Sequence, residues 1–147
     1  MVQKATELGV DRLVLLHAER SVVRWRPEKA DRRRERLQRI ADEATRQSRR
    51  VWRTSIAGPV AAIDAISGRA VGGVDEGADR GAGPMAIAEP GGRAITSRDR
   101  RIAVGPEGGW SDAELSATTE RVGIGENILR VETAVLAVTT LCVVSNH

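Results

Sequence analysis

The sequence predicts an α/β domain with a mainly parallel sheet and flanking helices. Short apolar runs at residues 10–16, 85–88 and 102–104 alternate with segments of helical composition, the longest of which begins at Pro27. This alternation is typical of α/β domains with parallel strands. Turn-forming residues follow the predicted strands at 85–88, 102–104 and 122–124, and ligands of parallel sheets bind beyond the carboxyl ends of strands. We therefore expect those three strand ends to converge on one ligand.

Length and composition limit the classes of protein to consider. At 147 residues the chain is expected to be a single domain, and 41% of it is apolar although it contains no Phe or Tyr. The core must consist of Val, Ile, Leu and Ala, and we expect Trp25 and Trp52 to be packing residues. Aromatic platforms for stacking nucleic-acid bases are nearly excluded.

No metal site, disulfide framework or membrane span is expected. The lone Cys142 and the two histidines, His17 and His147, are too few to build a zinc site. The longest apolar run, residues 134–144, is too short to cross a bilayer, and no signal peptide pattern opens the chain. These features predict a cytoplasmic protein.

Positive charge is concentrated in residues 20–53. This segment carries thirteen Arg or Lys and five acidic residues, although the net charge of the chain is only +3. A charged helix face is usually only solvated. Here the excess has one sign and ends in Arg-Gln-Ser-Arg-Arg at 46–50, so we favour contact with a polyanion.

The first half of the chain is predicted to open with a helix that ends at Gly9, a residue that suits a helix end. Pro27 suits the first turn of the long basic helix. The core-facing stripe of that helix is predicted to contain Leu37, Ile40, Ala41, Ala44 and Ser48. The predicted elements are helices at 2–8 and 59–67, the second closed by Gly68, and strands at 10–16 and 54–57.

The second half has clearer boundaries. Ser111 and Glu114 form a capping-box pattern that predicts the start of a helix. A strand is expected to end at the Glu-Pro-Gly-Gly turn at 89–92. The predicted elements are a loop at 71–83, strands at 85–88, 102–104 and 122–124, and helices at 112–121 and 132–144.

Two motifs within residues 102–134 stand out: Gly-Pro-Glu-Gly-Gly-Trp at 105–110 and Asn-Ile-Leu-Arg-Val-Glu-Thr-Ala at 127–134. A glycine-rich turn after a buried strand lets a ligand approach the backbone closely. The chain has no P-loop, an incomplete dinucleotide fingerprint and no Gly-x-Ser-x-Gly elbow. The residues therefore indicate a ligand-binding corner made of backbone.

The two motifs resemble those of the bacterial ribosomal RNA uridine-N3 methyltransferases of the SPOUT superfamily. The resemblance covers nearly the whole chain. It includes Gln-Lys-Ala-Thr-Glu-Leu-Gly-Val at 3–10, Glu-Arg-Ser at 19–21 and Gln-Ser-x-Arg at 47–50. The chain departs from the family at Arg46 and Arg49, where an acid and a glycine are usual, and at 124–126, where Leu-Gly-Pro is common.

The resemblance implies a deep C-terminal trefoil knot, an exception to the rule that chains avoid threading. It also implies S-adenosylmethionine as cofactor, a homodimer, and methylation of N3 of a uridine in small-subunit (16S) ribosomal RNA. Family members carry an N-terminal RNA-binding barrel of the PUA-like kind that residues 1–147 lack. The uncapped helix start at Met1 is consistent with truncation of such a protein.

Roles for individual residues follow from the resemblance. Arg130 is the candidate for stabilising negative charge on a uracil oxygen, and Glu107 or Glu132 is the candidate base for the N3 proton. The residues expected to contact the cofactor are Ala88, Glu89, Gly105, Pro106, Glu107, Gly108, Gly109, Ile124, Gly125, Ile128, Leu129, Arg130 and Thr133. Those expected to contact RNA are Arg20, Arg46, Gln47, Arg49 and Arg50.

Simpler roles compete with these. The glycines could be structural turns, Arg130 could pair with Glu126 or Glu132, and Thr133 could cap the last helix. Trp110 is expected to be a hydrophobic plug under its loop. For the apolar stripe of the last helix we expect a core role, with part of it at a dimer interface; it consists of Val135, Leu136, Val138, Leu141 and Val143.

Two other functions remain open from the sequence. The chain could be a non-catalytic RNA-binding or dimerisation module, if docking of the substrate requires the barrel. It could also apply the same cofactor to another acceptor, such as a ribose 2′-oxygen. The residues themselves do not select uridine.

Overall fold

The computed structural model describes residues 1–24, 26–69 and 85–145. They form two parallel sheets, of two and three strands, where the sequence predicted a single sheet; the α/β class, the parallel pairing and the flanking helices are confirmed. In chain order the elements are α1 (Val2–Leu8), β1 (Arg12–His17), α2 (Pro27–Gln47), β2 (Ser55–Ala61), α3 (Ala62–Ile66), β3 (Ala86–Ala94), β4 (Ile102–Val104), α4 (Asp112–Ser116), β5 (Arg121–Gly123) and α5 (Val131–Ser145).

The first sheet pairs β1 with β2, Arg12 lying opposite Ser55. Helix α2 packs against β2, and α1 packs against α2. Their shared core contains Val2, Ala41 and Ile56, with Leu13, Leu15, Leu37 and Ile40 packed around it. The predicted stripe of α2 is therefore confirmed except at Ser48, which is exposed and donates its hydroxyl to the Ala44 carbonyl at 2.7 Å.

The second sheet places β3 between β4 and β5. Its core includes Ile66, Ile87, Ala103 and Trp110. These side chains come from α3, from the adjoining strands β3 and β4, and from the turn after β4, so that turn packs into the same core as the sheet. The position of the 105–110 turn is thus fixed by burial of the residue that ends it.

Local sequence signals were sufficient at several boundaries. Gly9 ends α1 with a φ of 112°, a left-handed conformation that glycine adopts without steric cost. Pro27 occupies the first turn of α2. Ser111 and Glu114 form the predicted capping box, in which each side chain accepts a hydrogen bond from the other residue's backbone. The helix predicted at 132–144 is α5.

Two predicted boundaries in the strands were wrong. The helix predicted at 59–67 begins only at Ala62, because β2 continues and Val60 pairs with Leu16 of β1. The strand predicted to end before the 89–92 turn instead continues to the end of β3. A bulge absorbs the extra residues, after which Arg93 pairs with Val122.

The helix predicted at 112–121 was too long. It ends at Ser116, because Arg121 is drawn into β5 opposite Ile87. The Arg121 guanidinium also donates to the carbonyls of Leu115 and Thr118, which satisfies acceptors that a longer helix would have used.

The predicted loop at 71–83 and the predicted packing of Trp25 lie outside the described residues. Within the described part of the chain, none of the helices combines the length and the apolar character needed to cross a bilayer.

Candidate functional site

Two strand ends, of β4 and β5, and the bulge within β3 lie side by side in the second sheet. Ala88 of β3 is opposite Val104 of β4 and opposite Val122 of β5. The segments that follow these residues are the 89–92 bulge, the 105–110 turn and the 123–130 segment. Because all three strands are parallel, these segments emerge at the same edge of the sheet. The register therefore brings together the three segments in which the sequence placed its ligand contacts.

Each of these three segments contains a glycine with an open, left-handed backbone. The φ angles are 79° at Gly91, 71° at Gly109 and 130° at Gly125. A Cβ built on any of them would meet no heavy atom within 4 Å. The conformation requires glycine in each case, and the space beside the backbone is free. This arrangement suits a ligand that is held by main-chain groups.

The 105–110 turn folds over a buried tryptophan. A Cβ on Gly105 would lie 2.9 Å from Nε1 of Trp110, whose side chain is buried in the core. The Gly109 N–H donates to the Pro106 carbonyl at 2.9 Å. Trp110 is therefore the predicted hydrophobic plug, and Gly105 is needed because the indole leaves no room for a side chain.

A second contact fixes this turn to residues 19–21. A Cβ on Gly108 would lie 2.8 Å from the carbonyl oxygen of Arg20. The buried Glu114 carboxylate accepts hydrogen bonds from the N–H of Glu19 and from the N–H of Ser111, both at 2.9 Å. Glu114 thus joins the segment before Arg20 to the start of α4. The sequence predicted its capping role but gave no sign of the contact with Glu19.

The charged residues predicted around the site have different surroundings. Glu107 is exposed. Glu89 lies 3.3 Å from Nε of Arg121, so its carboxylate is held by the protein. Glu132 is exposed and lies 4.0 Å from the amino group of Met1.

The 123–130 segment is open to solvent. Ile128 is 91% exposed, Leu129 is half-buried and the Arg130 side chain is exposed. The Arg130 carbonyl accepts the N–H of Ala134 at 2.9 Å and so begins the hydrogen bonding of α5. Thr133 is exposed in the first turn of that helix. Arg130 forms no ion pair with any of the described residues, which disfavours the simple salt-bridge role.

The residues expected to contact RNA are exposed, with one exception. Arg20, Arg46, Gln47 and Arg49 are exposed. Two shallow depressions of about 330 and 380 Å³ lie along α2; arginines and a lysine line most of the first, and the second also contains Glu35 and Asp42. Neither contains residues of the 89–92, 105–110 or 123–130 segments.

The exception is Arg50, whose side chain is only 15% exposed. Its guanidinium donates to the carbonyls of Thr6, Gly9 and Val10 at 2.8–3.1 Å, to the Thr54 hydroxyl at 2.8 Å and to the Asp11 carboxylate at 3.2 Å. All five of these hydrogen bonds go to acceptors within the chain itself. The structure therefore gives Arg50 an internal role, and we do not retain it as an RNA contact.

The prediction for Trp52 was wrong. Its side chain is 74% exposed instead of packed in the core. The two flanking residues, Val51 and Arg53, are also exposed. Apolar composition led to the prediction of packing, but the surrounding Arg-rich sequence could have indicated a surface position.

Relatives of known name match most of this chain. Over 150 residues it is 33% identical to the Ribosomal RNA small subunit methyltransferase E of Bacillus subtilis, a match that covers 92% of this chain and 56% of that protein. The protein of the same name from Synechocystis is 30% identical over 151 residues, which cover 91% of this chain and 45% of that protein.

Solved structures share the fold. A Legionella pneumophila protein in complex with the bound cofactor SAM matches with a TM-score of 0.74 and 26% identity, over 96% of this chain and 58% of that one. A Ribosomal RNA small subunit methyltransferase E from Neisseria gonorrhoeae bound to S-adenosyl methionine matches with a TM-score of 0.69 and 29% identity, over 95% of this chain and 57% of that one.

This chain thus spans about half the length of the relatives it matches. The model of the RNA methyltransferase domain family matches residues 1–143, which is nearly the whole of this chain. With that match and the parallel α/β fold, the chain belongs to the RNA methyltransferase domain family.

Proposed function

We propose that this chain transfers a methyl group from S-adenosylmethionine to N3 of a uridine in small-subunit ribosomal RNA. The observation that carries the cofactor part of this proposal is the set of three open glycines, Gly91, Gly109 and Gly125, in the segments that follow three adjoining positions of one sheet. The substrate is supported by relatives that are named as small-subunit ribosomal RNA methyltransferases. The cofactor is supported by two matching structures that have it bound.

The residues present fit such a cofactor. In this proposal the main-chain groups of 105–109 and 124–129 hold the cofactor, and Gly105 and Gly108 leave space only for the Trp110 indole and the Arg20 carbonyl. Ala88 and Glu89 contribute from the start of the β3 bulge, and Thr133 contributes a hydroxyl at the start of α5. S-adenosylmethionine supplies an electrophilic methyl group on a sulfonium. The chain contributes by holding donor and acceptor in line and close together.

Uridine N3 carries a weakly acidic proton that has to leave before or during attack. Arg130 is our candidate for stabilising the negative charge that develops on a uracil oxygen. Its guanidinium is exposed and forms no ion pair with the described residues, which supports this role. Glu107 or Glu132 accepts the proton, and both carboxylates are exposed beside the two motif loops.

The RNA reaches this corner across the basic surface. Arg20 abuts Gly108 of the cofactor loop, while Arg46, Gln47 and Arg49 extend the exposed surface along the end of α2. Phosphate contacts from arginines of this kind orient a nucleic acid without reading its sequence.

A homodimer and a trefoil knot belong to the same proposal. The C-terminal helix α5 is apolar around most of its circumference, and Leu141 and Val144 on it are exposed. A helix with this character is usually covered on more than one side. A second copy packed on α5 would cover these side chains, and sedimentation at micromolar concentration measures whether it does.

Calorimetric titration of the purified chain with S-adenosylmethionine tests the cofactor claim, and the absence of binding at millimolar ligand would refute it. We expect Gly108→Val to abolish binding, because its side chain would collide with the Arg20 carbonyl and displace the loop. Arg130→Ala should instead reduce methyl transfer to small-subunit RNA at least 10-fold with cofactor affinity within about twofold, since removing one oxyanion donor costs 10²–10³ in other enzymes. Equal losses of binding and transfer in Arg130→Ala would contradict its assigned role.

The acceptor atom is tested separately. Digesting the methylated RNA and identifying the modified nucleoside distinguishes N3 of uridine from a ribose 2′-oxygen. RNA binding without any methyl transfer, either to deproteinised RNA or to assembled subunits, would instead favour a non-catalytic RNA-binding module.

A further inference from the structure

The loop between α2 and β2, residues 48–54, is anchored from within. Arg50 makes the five hydrogen bonds described above, and the Thr54 hydroxyl donates to the Val10 carbonyl at 2.7 Å. Gln38 of α2 adds two more contacts, donating to the Thr54 carbonyl at 2.9 Å and accepting the N–H of Ile56 at 2.8 Å. The 48–54 loop is therefore a fixed platform, and its outward side chains are displayed from a defined backbone.

The outward side chains of this loop are apolar where solvent would favour polar ones. Val51 is 87% exposed and Trp52 is 74% exposed. Tryptophan has the largest apolar surface of any residue, and its indole gains the most from being covered by a flat partner. Displaying it on an anchored loop indicates a contact that forms with another molecule.

The charge around Trp52 identifies the class of that molecule. Arg46 and Arg49 are exposed just before it, and Arg53 directly after it is 65% exposed in its side chain. Asp42 of α2 accepts two hydrogen bonds from Arg53, at 2.7 and 2.9 Å. The patch therefore combines one aromatic face with cations, and a polyanion that carries flat rings complements both.

A single-stranded nucleic acid has this combination, with phosphates along its backbone and unstacked bases that can lie on an aromatic side chain. A duplex does not, since its bases are already stacked and only its phosphates are accessible. A shallow depression of about 380 Å³ lies beside the platform, and its lining combines Arg34, Arg39 and Arg53 with Glu35 and Asp42.

The composition excludes an extended aromatic platform, but a single stacking contact needs only one exposed aromatic side chain. We propose that Trp52 stacks on an unpaired base of the RNA substrate while Arg46 and Arg49 hold the adjoining phosphates. This rests on the proposed function, of which it specifies the RNA form: a substrate with a single-stranded segment away from the methylated uridine. Trp52 precedes the amino-terminal end of β2, where Ser55 pairs with Arg12, whereas Arg20 follows the carboxyl end of β1, so Trp52 lies outside the cofactor corner.

The test compares Trp52→Ala with Trp52→Phe and with Val51→Ala, the matched control that removes the neighbouring exposed apolar side chain. Fluorescence anisotropy measures the affinity of each variant of the full chain for a labelled 12-nucleotide single-stranded RNA and for a duplex of equal length. We expect Trp52→Ala to weaken single-strand binding about 10-fold, Trp52→Phe to recover most of the loss, and Val51→Ala to change it less than twofold.

Two further readouts separate stacking from charge. Duplex affinity should be unchanged in Trp52→Ala, and so should the slope of log affinity against log salt. Arg49→Ala, in contrast, should lower the single-strand salt slope by about 0.7, the loss of one phosphate contact. Urea unfolding of Trp52→Ala should match the unsubstituted chain, since an exposed side chain contributes little to folding.

A less than twofold effect of Trp52→Ala on single-strand binding overturns the proposal, and so does an equal loss for the duplex. A change in sedimentation of Trp52→Ala, with RNA affinity intact, also overturns it and assigns the indole to a protein interface. Cofactor titration distinguishes the two levels: loss of the proposed function would appear as absent S-adenosylmethionine binding, whereas failure of this proposal would leave that binding intact.

Discussion

Arg50 provides the sharpest test of how the first sheet is held together. Replacing it by alanine removes five hydrogen bonds at once, and the structure indicates which of them matter. The Thr6 carbonyl keeps the N–H of Gly9 at 3.0 Å, and the Val10 carbonyl keeps the Thr54 hydroxyl. Asp11 is 85% exposed in its side chain, so water replaces that contact. The Gly9 carbonyl loses the guanidinium.

These contributions give an expected cost of about 3 kcal/mol. A hydrogen bond from a charged donor contributes about 1.5–3 kcal/mol, and an acceptor left without a partner in a half-buried position costs about 1–3 kcal/mol. The bonds whose acceptors keep a second partner add little. Since whole domains are stable by about 5–15 kcal/mol, the loss in Arg50→Ala is a large part of the total.

Urea unfolding followed by far-ultraviolet circular dichroism measures this cost without using the nearby Trp52 as a probe. Arg49→Ala is the matched control, because it removes the same charge from an adjacent, exposed position. We expect Arg49→Ala to change the free energy of unfolding by less than about 0.5 kcal/mol. If both variants shifted it equally, the set of contacts around Arg50 would make no net contribution and the reasoning would be refuted.

Two further predictions concern buried carboxylates. In Glu114→Gln the amide can accept only one of the two N–H groups that the carboxylate now accepts, so unfolding should become easier by about 2 kcal/mol, while the exposed control Asp112→Asn should differ by less than about 0.5 kcal/mol in the same urea titration. A Glu114→Gln chain as stable as Asp112→Asn would contradict the link between residue 19 and α4. The second prediction concerns how stability depends on pH. The Arg93 guanidinium, with Thr96, holds the pKa of Asp99 well below its usual range, and in the unfolded chain that pKa returns to about 3.8. The stabilisation is therefore fully present above about pH 5 and is lost as pH falls below it, so thermal midpoints measured from pH 7 to 3 should decline less steeply in Asp99→Asn, and parallel declines would count against the pairing.

The parts of the fold that the sequence predicted correctly depend on short-range chemistry. A helix end at Gly9, a first turn at Pro27 and a capping box at Ser111 each involve residues within four positions of one another. The common edge of the segments after residues 88, 104 and 122 was also predictable, because parallel strands place the segments that follow them on the same side of the sheet.

The parts that could not be predicted depend on distant contacts. Arg50 reaches acceptors 39 to 44 positions earlier in the chain, and Glu114 holds a backbone group 95 positions away. No periodicity encodes such pairs. The sequence therefore predicts the same RNA contact for Arg49 and Arg50. In the structure the Arg49 side chain faces solvent and the Arg50 side chain faces the protein.

The continuation of β3 shows a different limit. Glu-Pro-Gly-Gly is a turn signal by composition, yet the strand resumes pairing after a bulge. Gly92 permits this, because a Cβ there would lie 2.4 Å from the carbonyl carbon of Val122. The glycine at this position reflects a close approach between two strands. It does not mark a chain reversal.

The same contact constrains how this sequence can vary. Gly92 and Gly123 face each other across β3 and β5, and a Cβ on Gly123 would in turn lie 2.6 Å from the Gly92 carbonyl oxygen. Side-chain clashes can be relieved by shortening the partner, but here both obstacles are main-chain atoms. A mutation at either position consequently has no compensating mutation at the other. Lineages that diverge everywhere else around this edge would have to retain both glycines or give up the resumed pairing that extends β3 beyond its bulge.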